Sequence, residues 1–401
     1  MSQIPDLNTA VAPAADRTSS RLLSLDALRG FDMFWIVGGS IIIRGLAKAS
    51  GHPWLMWLSV QMEHVEWEGF HFIDLIFPLF LFLIGVAIPY SLGKRLARGD
   101  SLQRIYGHIV LRVAILVVLG MMVNGSLLSY DPAQFELSYS VLQMLALGYL
   151  VATILFLNLR LRGQIVATAA MLVGYWALLA FVPGPGHELG QVAAGCNVGD
   201  WVTEALVGQW RGHQVGWIVG ILGHASTAML GVFAGQLLRS SRSGASKFLW
   251  LTLGGFAALA AALVWSGWVA RQWPDLTLFG ASWTEWPVWC PIIKNRWTSA
   301  YVLYAGGWSL LLLALFYLVI DVWGLRRWAL PWVVIGANSI FAYMCWQLGH
   351  GALRQAAEVF LSGLKRYVGA AWYEPIAWAG ATALLWLLLW YLYRNKTFIR
   401  A

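Results

Sequence analysis

Apolar residues in this chain run in blocks of about twenty, separated by short polar segments, and this block length is what a helix needs to cross a bilayer. The blocks predict helices over residues 25–43, 70–92, 105–128, 139–157, 165–182, 215–238, 248–270, 298–320, 328–348 and 375–393. The stretch 351–369 contains AEVFLSGLKRYVG, whose charged and apolar positions segregate, and it reads as a helix lying in the interface. The expected architecture is an all-α, polytopic membrane bundle of about ten spanning helices.

Composition agrees. Hydrophobic residues make up 59% and charged residues 11%, against roughly 25% charged in a soluble domain. So few charges cannot dress a water-facing surface. The 25 tryptophans and 14 tyrosines suit aromatic belts at the two membrane interfaces. Short, basic connections alternate with longer, less basic ones. The positive-inside rule then puts both termini in the cytoplasm and most of the 27 lysines and arginines on that side. Because these charges are spread over several loops, the net charge of +8 does not signal nucleic-acid binding. Residues 1–20 are polar and Pro/Ala-rich and lack a signal-peptide pattern, so they read as a disordered cytoplasmic tail ahead of a membrane domain over 21–401.

Ionisable groups inside a span are costly and mark function by default. They crowd into the first three spans. Asp26, Arg29 and Asp32 follow one another at intervals of three in the first, His71 and Asp74 open the second, and His108, Arg112 and Asn124 lie in the third. Asp26 and Arg29 can pair on one helix face. Arg112 has no acidic neighbour within a turn, so it needs a distant partner or an anionic ligand. Gln143, His224 and Asn338 are polar residues of later spans. The outer loop EHVEWEGFHFIDL places His64 beside Glu63, Glu66 and Glu68. On spacing alone His64 is an ordinary loop histidine, as are His52, His187, His213 and His350. Metal-ligand spacing is absent, so no metal is expected. Of Cys196, Cys290 and Cys345, the first two fall in outer loops, where a disulfide is open to them but two separate thiols are preferred.

LDALRGFDMFW, then H-x-x-W-x-G ahead of D-L-I-F-P-x-F-x-F-x-x-G, resembles the heparan-alpha-glucosaminide N-acetyltransferase family, within a wider transmembrane acyltransferase superfamily. The likeness continues through Arg112, Asn124, Val141-Leu142-Gln143, Lys294-Asn295-Arg296-Trp297 and Gly336-Ala337-Asn338-Ser339. The chain departs from the family at Ser40, where eukaryotic members carry Asn, and at Met144, where Arg is frequent. The size resembles that of a bacterial member, which implies a multi-pass protein of the bacterial inner membrane. The family takes acetyl-CoA from the cytosolic side and passes the acetyl group to the amine of a terminal glucosamine on the far side. Its essential histidine falls on His64, and the charge-derived topology puts His64 on that far face.

The resemblance implies a division of labour. His64 would act as base or as acetyl carrier. Asp74 is the first candidate to orient it, with Glu63 and Glu66 behind. Arg29, near the inner surface, would meet the phosphates of acetyl-CoA, a co-substrate, while Arg112, Asn124, Gln143 and Asn338 would line the channel for its pantetheine arm. Trp67, Lys294, Asn295 and Trp297 would hold the amino sugar. A bacterial acceptor is more plausibly free glucosamine, a related amino sugar or an envelope glycan than heparan sulfate. Besides lipid, donor and acceptor, a second copy of the chain is left open as a partner. Two other classes remain beside this one, a transporter of an amino sugar or small solute and an O-acyltransferase acting on an envelope glycan.

Overall fold

The computed structural model describes residues 22–131, 134, 140–188, 190, 192–193, 196–207, 217–272, 277–278, 281–282 and 289–399. The expected tail over 1–20 lies outside the described residues, as does His213.

The apolar blocks are helices. α1 (Leu23–Phe34) passes through a π-turn at Trp35–Gly39 into α2 (Ser40–Ser50), so the first span runs past its predicted end. The turn centres on Gly38, whose φ of 134° a side chain would resist. A short α3 (Pro53–Gln61) follows, then the spans α4 (Phe72–Ala97), α5 (Leu102–Asn124), α6 (Val141–Asn158) and α7 (Leu161–Phe181). After α8 (Val198–Val207) come α9 (Trp217–Arg239), α10 (Gly244–Trp265) and α11 (Trp268–Gln272), with a two-residue β-pair at Thr277–Leu278 and Ala281–Ser282. The chain closes with α12 (Ser299–Phe316), a second π-turn at Tyr317–Val322, α13 (Leu330–Ala337), α14 (Ser339–Leu361) and α15 (Lys365–Arg394).

Nine helical stretches among the described residues are long and apolar enough to cross a membrane. The last, Ser339–Arg394, is 56 residues long, against about 20 for one crossing. A 3₁₀ turn at Ser362–Leu364 divides it into α14 and α15, which pack on each other, and Gly369, at positive φ, kinks α15 near its start. The predicted span 328–348 is therefore two pieces, α13 and α14, parted at Asn338 (φ −130°, ψ 41°). The expected separate interfacial helix over 351–369 is absent as such. No proline stands between Leu348 and Leu361, and α14 runs straight through Gly349 and Gly351. Two short helices carry readable start signals that hydropathy passes over. α3 has His52 accepting from the Trp54 amide at 3.3 Å and Pro53 in its first turn, and α8 has Asn197 accepting from the Asp200 amide at 3.1 Å.

Burial sorts the spans into centre and rim. In α4, 78% of the most apolar window is buried, against 17% in α10 and 28% in α5. Leu79, Leu81, Phe82 and Leu83 are wholly enclosed, so α4 is the axis and α5 and α10 present apolar side chains to lipid. α1 and α13 meet backbone to backbone. A Cβ on Gly30 would stand 1.7 Å from Trp332 O, and one on Gly336 would stand 1.8 Å from Asp26 O. Small residues permit this approach in a bilayer, where packing replaces the hydrophobic effect as the force between helices.

Candidate active site

The loop between α3 and α4 is stitched at both ends. Phe72 N donates to Gln61 Oε1 at 3.1 Å, His71 Nδ1 lies 2.7 Å from Glu63 O, and Gly69 N donates to Ile292 O at 3.0 Å. Glu68 and Ile293 form a β-bridge beside that bond. The His64 loop is thereby tied to the segment leading into α12, 230 residues away in sequence.

Asp74 sits in the first turn of α4, where the helix dipole favours a negative charge. It is fully buried and well supplied with donors. Its Oδ2 accepts from His71 N at 3.0 Å and Val65 N at 3.5 Å. Its Oδ1 lies 2.7 Å from His64 Nδ1. Its backbone carbonyl accepts from the buried Tyr301 hydroxyl at 2.8 Å. The His64 side chain is 58% exposed, so the pair has a fixed carboxylate below and an accessible imidazole above. With Nδ1–H donated to Asp74, Nε2 keeps its lone pair as an acceptor.

Lys294 completes the cluster. Its Nζ is 3.1 Å from Asp74 Oδ1, 2.7 Å from His64 Nδ1 and 3.2 Å from Nε2. Burial pushes its amine below the usual lysine value, and the Asp74 carboxylate pulls in the other direction. The 3₁₀ turn Lys294–Arg296 that presents it is held from beneath. Arg296 is 2% exposed, and its guanidinium binds both oxygens of Asp200, at 2.6 Å to Oδ2, and Ala193 O at 3.1 Å. Tyr175 donates to the Arg296 carbonyl. Sequence reasoning gave Lys294 to the sugar and gave Arg296 no task. The available signals were the polar run Lys294-Asn295-Arg296 and its place in the motif Lys294-Asn295-Arg296-Trp297.

The remaining expected residues divide. Trp67 lies 5.2 Å from the Arg296 guanidinium, beside the cluster. Asn295 is exposed next to Lys294. Trp297 is 3% exposed, donates its indole N–H to Thr227 Oγ1 at 3.0 Å, and packs on Phe77 and Tyr301. It floors the cluster and does not offer a free face at the surface. Arg29 and Arg112, expected apart, come together. They line one cavity of about 270 Å³ with Asp26, Phe80, Ile84, Ala87, Ser339 and Ile399. Arg112 stacks over Tyr149 at 4.5 Å, and its buried Nε has no hydrogen-bond partner among the described residues. Gln143 caps α6 by accepting from Ser140 N at 3.1 Å, leaving its amide Nε2 without a partner there. Asn124 is exposed at the end of α5. Asn338 is occupied otherwise than expected: its amide donates to Thr397 O at 3.1 Å and accepts from Ile399 N at 2.8 Å, gripping the chain after α15. No disulfide links Cys196 and Cys290.

One face of α4 joins the two sites. Asp74, Phe77, Phe80, Ile84 and Ala87 recur at intervals of three or four, so they share that face. Phe77 and Phe80 line a void of only about 10 Å³ with Met33, Ile36, Val141, Leu142, Leu145, Ile340 and Tyr343. From Asp74 to Ala87 the helix rises about 20 Å at 1.5 Å per residue. The arrangement is an arginine-lined cavity at one end, a closed apolar waist and an acid–base cluster at the other end.

These features define a polytopic helical membrane protein with a buried carboxylate, an exposed imidazole and a lysine gathered at one face of the bundle. Residues 21–153 match a family described as a domain of unknown function (DUF5009). The heparan-alpha-glucosaminide N-acetyltransferase of Homo sapiens is 26% identical over 99% of this chain, and that of Mus musculus is likewise 26% identical over 99%. The chain spans 63% of the length of these curated relatives. The chain is similar to these acetyltransferases along nearly its whole length.

Proposed function

We propose that the chain is a membrane-embedded N-acetyltransferase. It takes an acetyl group from acetyl-CoA on the cytoplasmic side and delivers it to the amine of glucosamine, or of a related amino sugar, on the periplasmic side of a bacterial inner membrane. The observation that carries this reading is the 2.7 Å contact between His64 and Asp74. That contact lies at one end of a helix face whose other end lines the cavity holding Arg29 and Arg112. The names of the two relatives support the acetyl transfer and the amino-sugar acceptor.

The ammonium of glucosamine is not nucleophilic. Neutral His64 accepts its proton at Nε2 while Asp74 holds Nδ1–H and fixes the ring orientation. The freed amine attacks the thioester carbonyl, the C–N bond forms, the C–S bond breaks, and the proton on His64 goes to the leaving sulfur. In the alternative order, His64 attacks first and carries the acetyl group itself. Arg29 and Arg112 bind the anionic end of the donor. Gln143 Nε2, unsatisfied at the mouth of α6, is a donor for a pantetheine carbonyl. Phe77 and Phe80 must part to admit the arm, because a void of about 10 Å³ admits no more than one water.

The test is purified protein in lipid nanodiscs with labelled acetyl-CoA and glucosamine, read as labelled N-acetylglucosamine. In sealed inside-out vesicles, acetyl-CoA added outside should be consumed, with product accumulating in the lumen. Glucosamine crossing such vesicles unmodified and without acetyl-CoA would overturn the proposal in favour of transport, which a closed waist between two polar sites also suits.

A further inference from the structure

We propose that Lys294 belongs to the acid–base unit itself, as a positioning residue that shares the Asp74 carboxylate with His64 and keeps the imidazole from resting as an ion pair with it. This rests on the reading of His64 as base or carrier. The geometry points to it directly. Asp74 Oδ1 faces both the imidazole, at 2.7 Å, and the ammonium, at 3.1 Å, and the ammonium stands within 3.2 Å of both ring nitrogens. One carboxylate balances one positive charge. With Lys294 charged, a protonated His64 would place two cations in contact over a single anion, and like charges that close disfavour the second proton.

The other charges nearby do not undo this arrangement. On the His64 loop, Glu68 is engaged by Arg271 at 2.8 Å, and Glu63 and Glu66 are exposed. His71 Nδ1 is turned to the Glu63 carbonyl. On the α12 side, Arg296 is bound to Asp200. From α4 only Asp74 among the charged residues of the first turn faces the ring.

The consequence for the reaction is specific. A histidine–aspartate pair without a third partner gains from holding a proton, and a base already protonated cannot accept one from the amine. The Lys294 ammonium removes that gain. His64 then takes the amine proton as the C–N bond forms, and surrenders it to the sulfur as the C–S bond breaks. Fixation of Lys294 by the buried Arg296–Asp200 anchor, 2.6 Å at Oδ2, keeps the cation in place through the cycle.

The experiment compares Lys294→Met and Lys294→Arg with wild type in nanodiscs. Two readouts are taken against pH: kcat/KM for glucosamine with acetyl-CoA, and carbethoxylation of His64 by diethyl pyrocarbonate, which attacks only neutral imidazole and is resolved by peptide mass spectrometry. In Lys294→Met both midpoints should move to higher pH by about one unit, and in Lys294→Arg they should stay near wild type. Equal midpoints in wild type and Lys294→Met overturn the inference. So does a loss of activity at every pH with the carbethoxylation midpoint unmoved, since a lysine that merely binds sugar or braces the loop would behave that way. His64→Ala in the same assay separates the two levels. If it turns over like wild type, the functional reading fails. If it is inactive while the Lys294→Met midpoints stay put, only the role of Lys294 fails.

Discussion

Replacing His64 by alanine should abolish turnover and spare the fold, whereas replacing Asp74 should damage both. The His64 side chain is 58% exposed, so its removal leaves little void. Asp74 keeps Lys294 at 3.1 Å and the His71 amide at 3.0 Å, so no buried charge is stranded. A stability change within about 0.5 kcal/mol is expected, as for surface substitutions away from special features. General-base catalysis is worth about 10²- to 10⁴-fold, or about 3–5 kcal/mol of barrier. Asp74→Ala differs because the residue is fully enclosed. It strands the Lys294 ammonium and leaves the His71 amide without its acceptor, and breaking one side of such a pair costs about 3–5 kcal/mol. The assay pairs turnover of labelled acetyl-CoA with thermal unfolding in one detergent. A His64→Ala protein that unfolds like wild type and keeps more than about a tenth of its turnover would refute the reasoning, since that falls below the least a general base contributes. An Asp74→Ala protein as stable as wild type would show that the carboxylate is not the support described.

Arg112→Ala should weaken CoA binding by about 10- to 100-fold, the worth of a lost charge-assisted hydrogen bond, and Arg112→Lys should weaken it less. Titration calorimetry with CoA checks this, and equal affinities would make Arg112 a structural partner of Tyr149. Arg296→Met should lower stability by about 3–5 kcal/mol by stranding Asp200, and Asp200→Asn combined with it should recover part of the loss. Denaturation of the single and double variants reads the coupling. Burial pushes the Cys290 thiol up to about 11, so its thiolate is scarce near neutral pH and appears only as pH rises. Maleimide labelling of Cys290 in the native protein should therefore be negligible at pH about 7 and climb about tenfold per pH unit, and rapid neutral labelling would contradict the enclosure of this residue.

Local information determined much of this protein. Block length and the scarcity of charge determined the spans, because a helix in lipid must satisfy its own backbone and show an apolar surface, and both demands are met residue by residue. Asp74 was legible as the partner of His64 because it lies only ten residues on, where a helix begins. The π-turn at Gly38, the division of the last long stretch and the passage of α14 through 351–361 were not legible, since apolar blocks do not record where backbone turns. Tertiary structure alone decided the company each polar residue keeps. Lys294 is 230 residues from His64 and reaches it only because the β-bridge at Ile293 and the buried Arg296–Asp200 pair hold its turn against the loop. Arg29 and Arg112 share a cavity because α1 and α5 flank the same face of α4, and Asn338 is spent on the chain after α15. Such pairings depend on which helix faces meet, and in a bilayer those are selected by close packing and polar satisfaction summed over the whole bundle, a sum no single stretch of sequence contains.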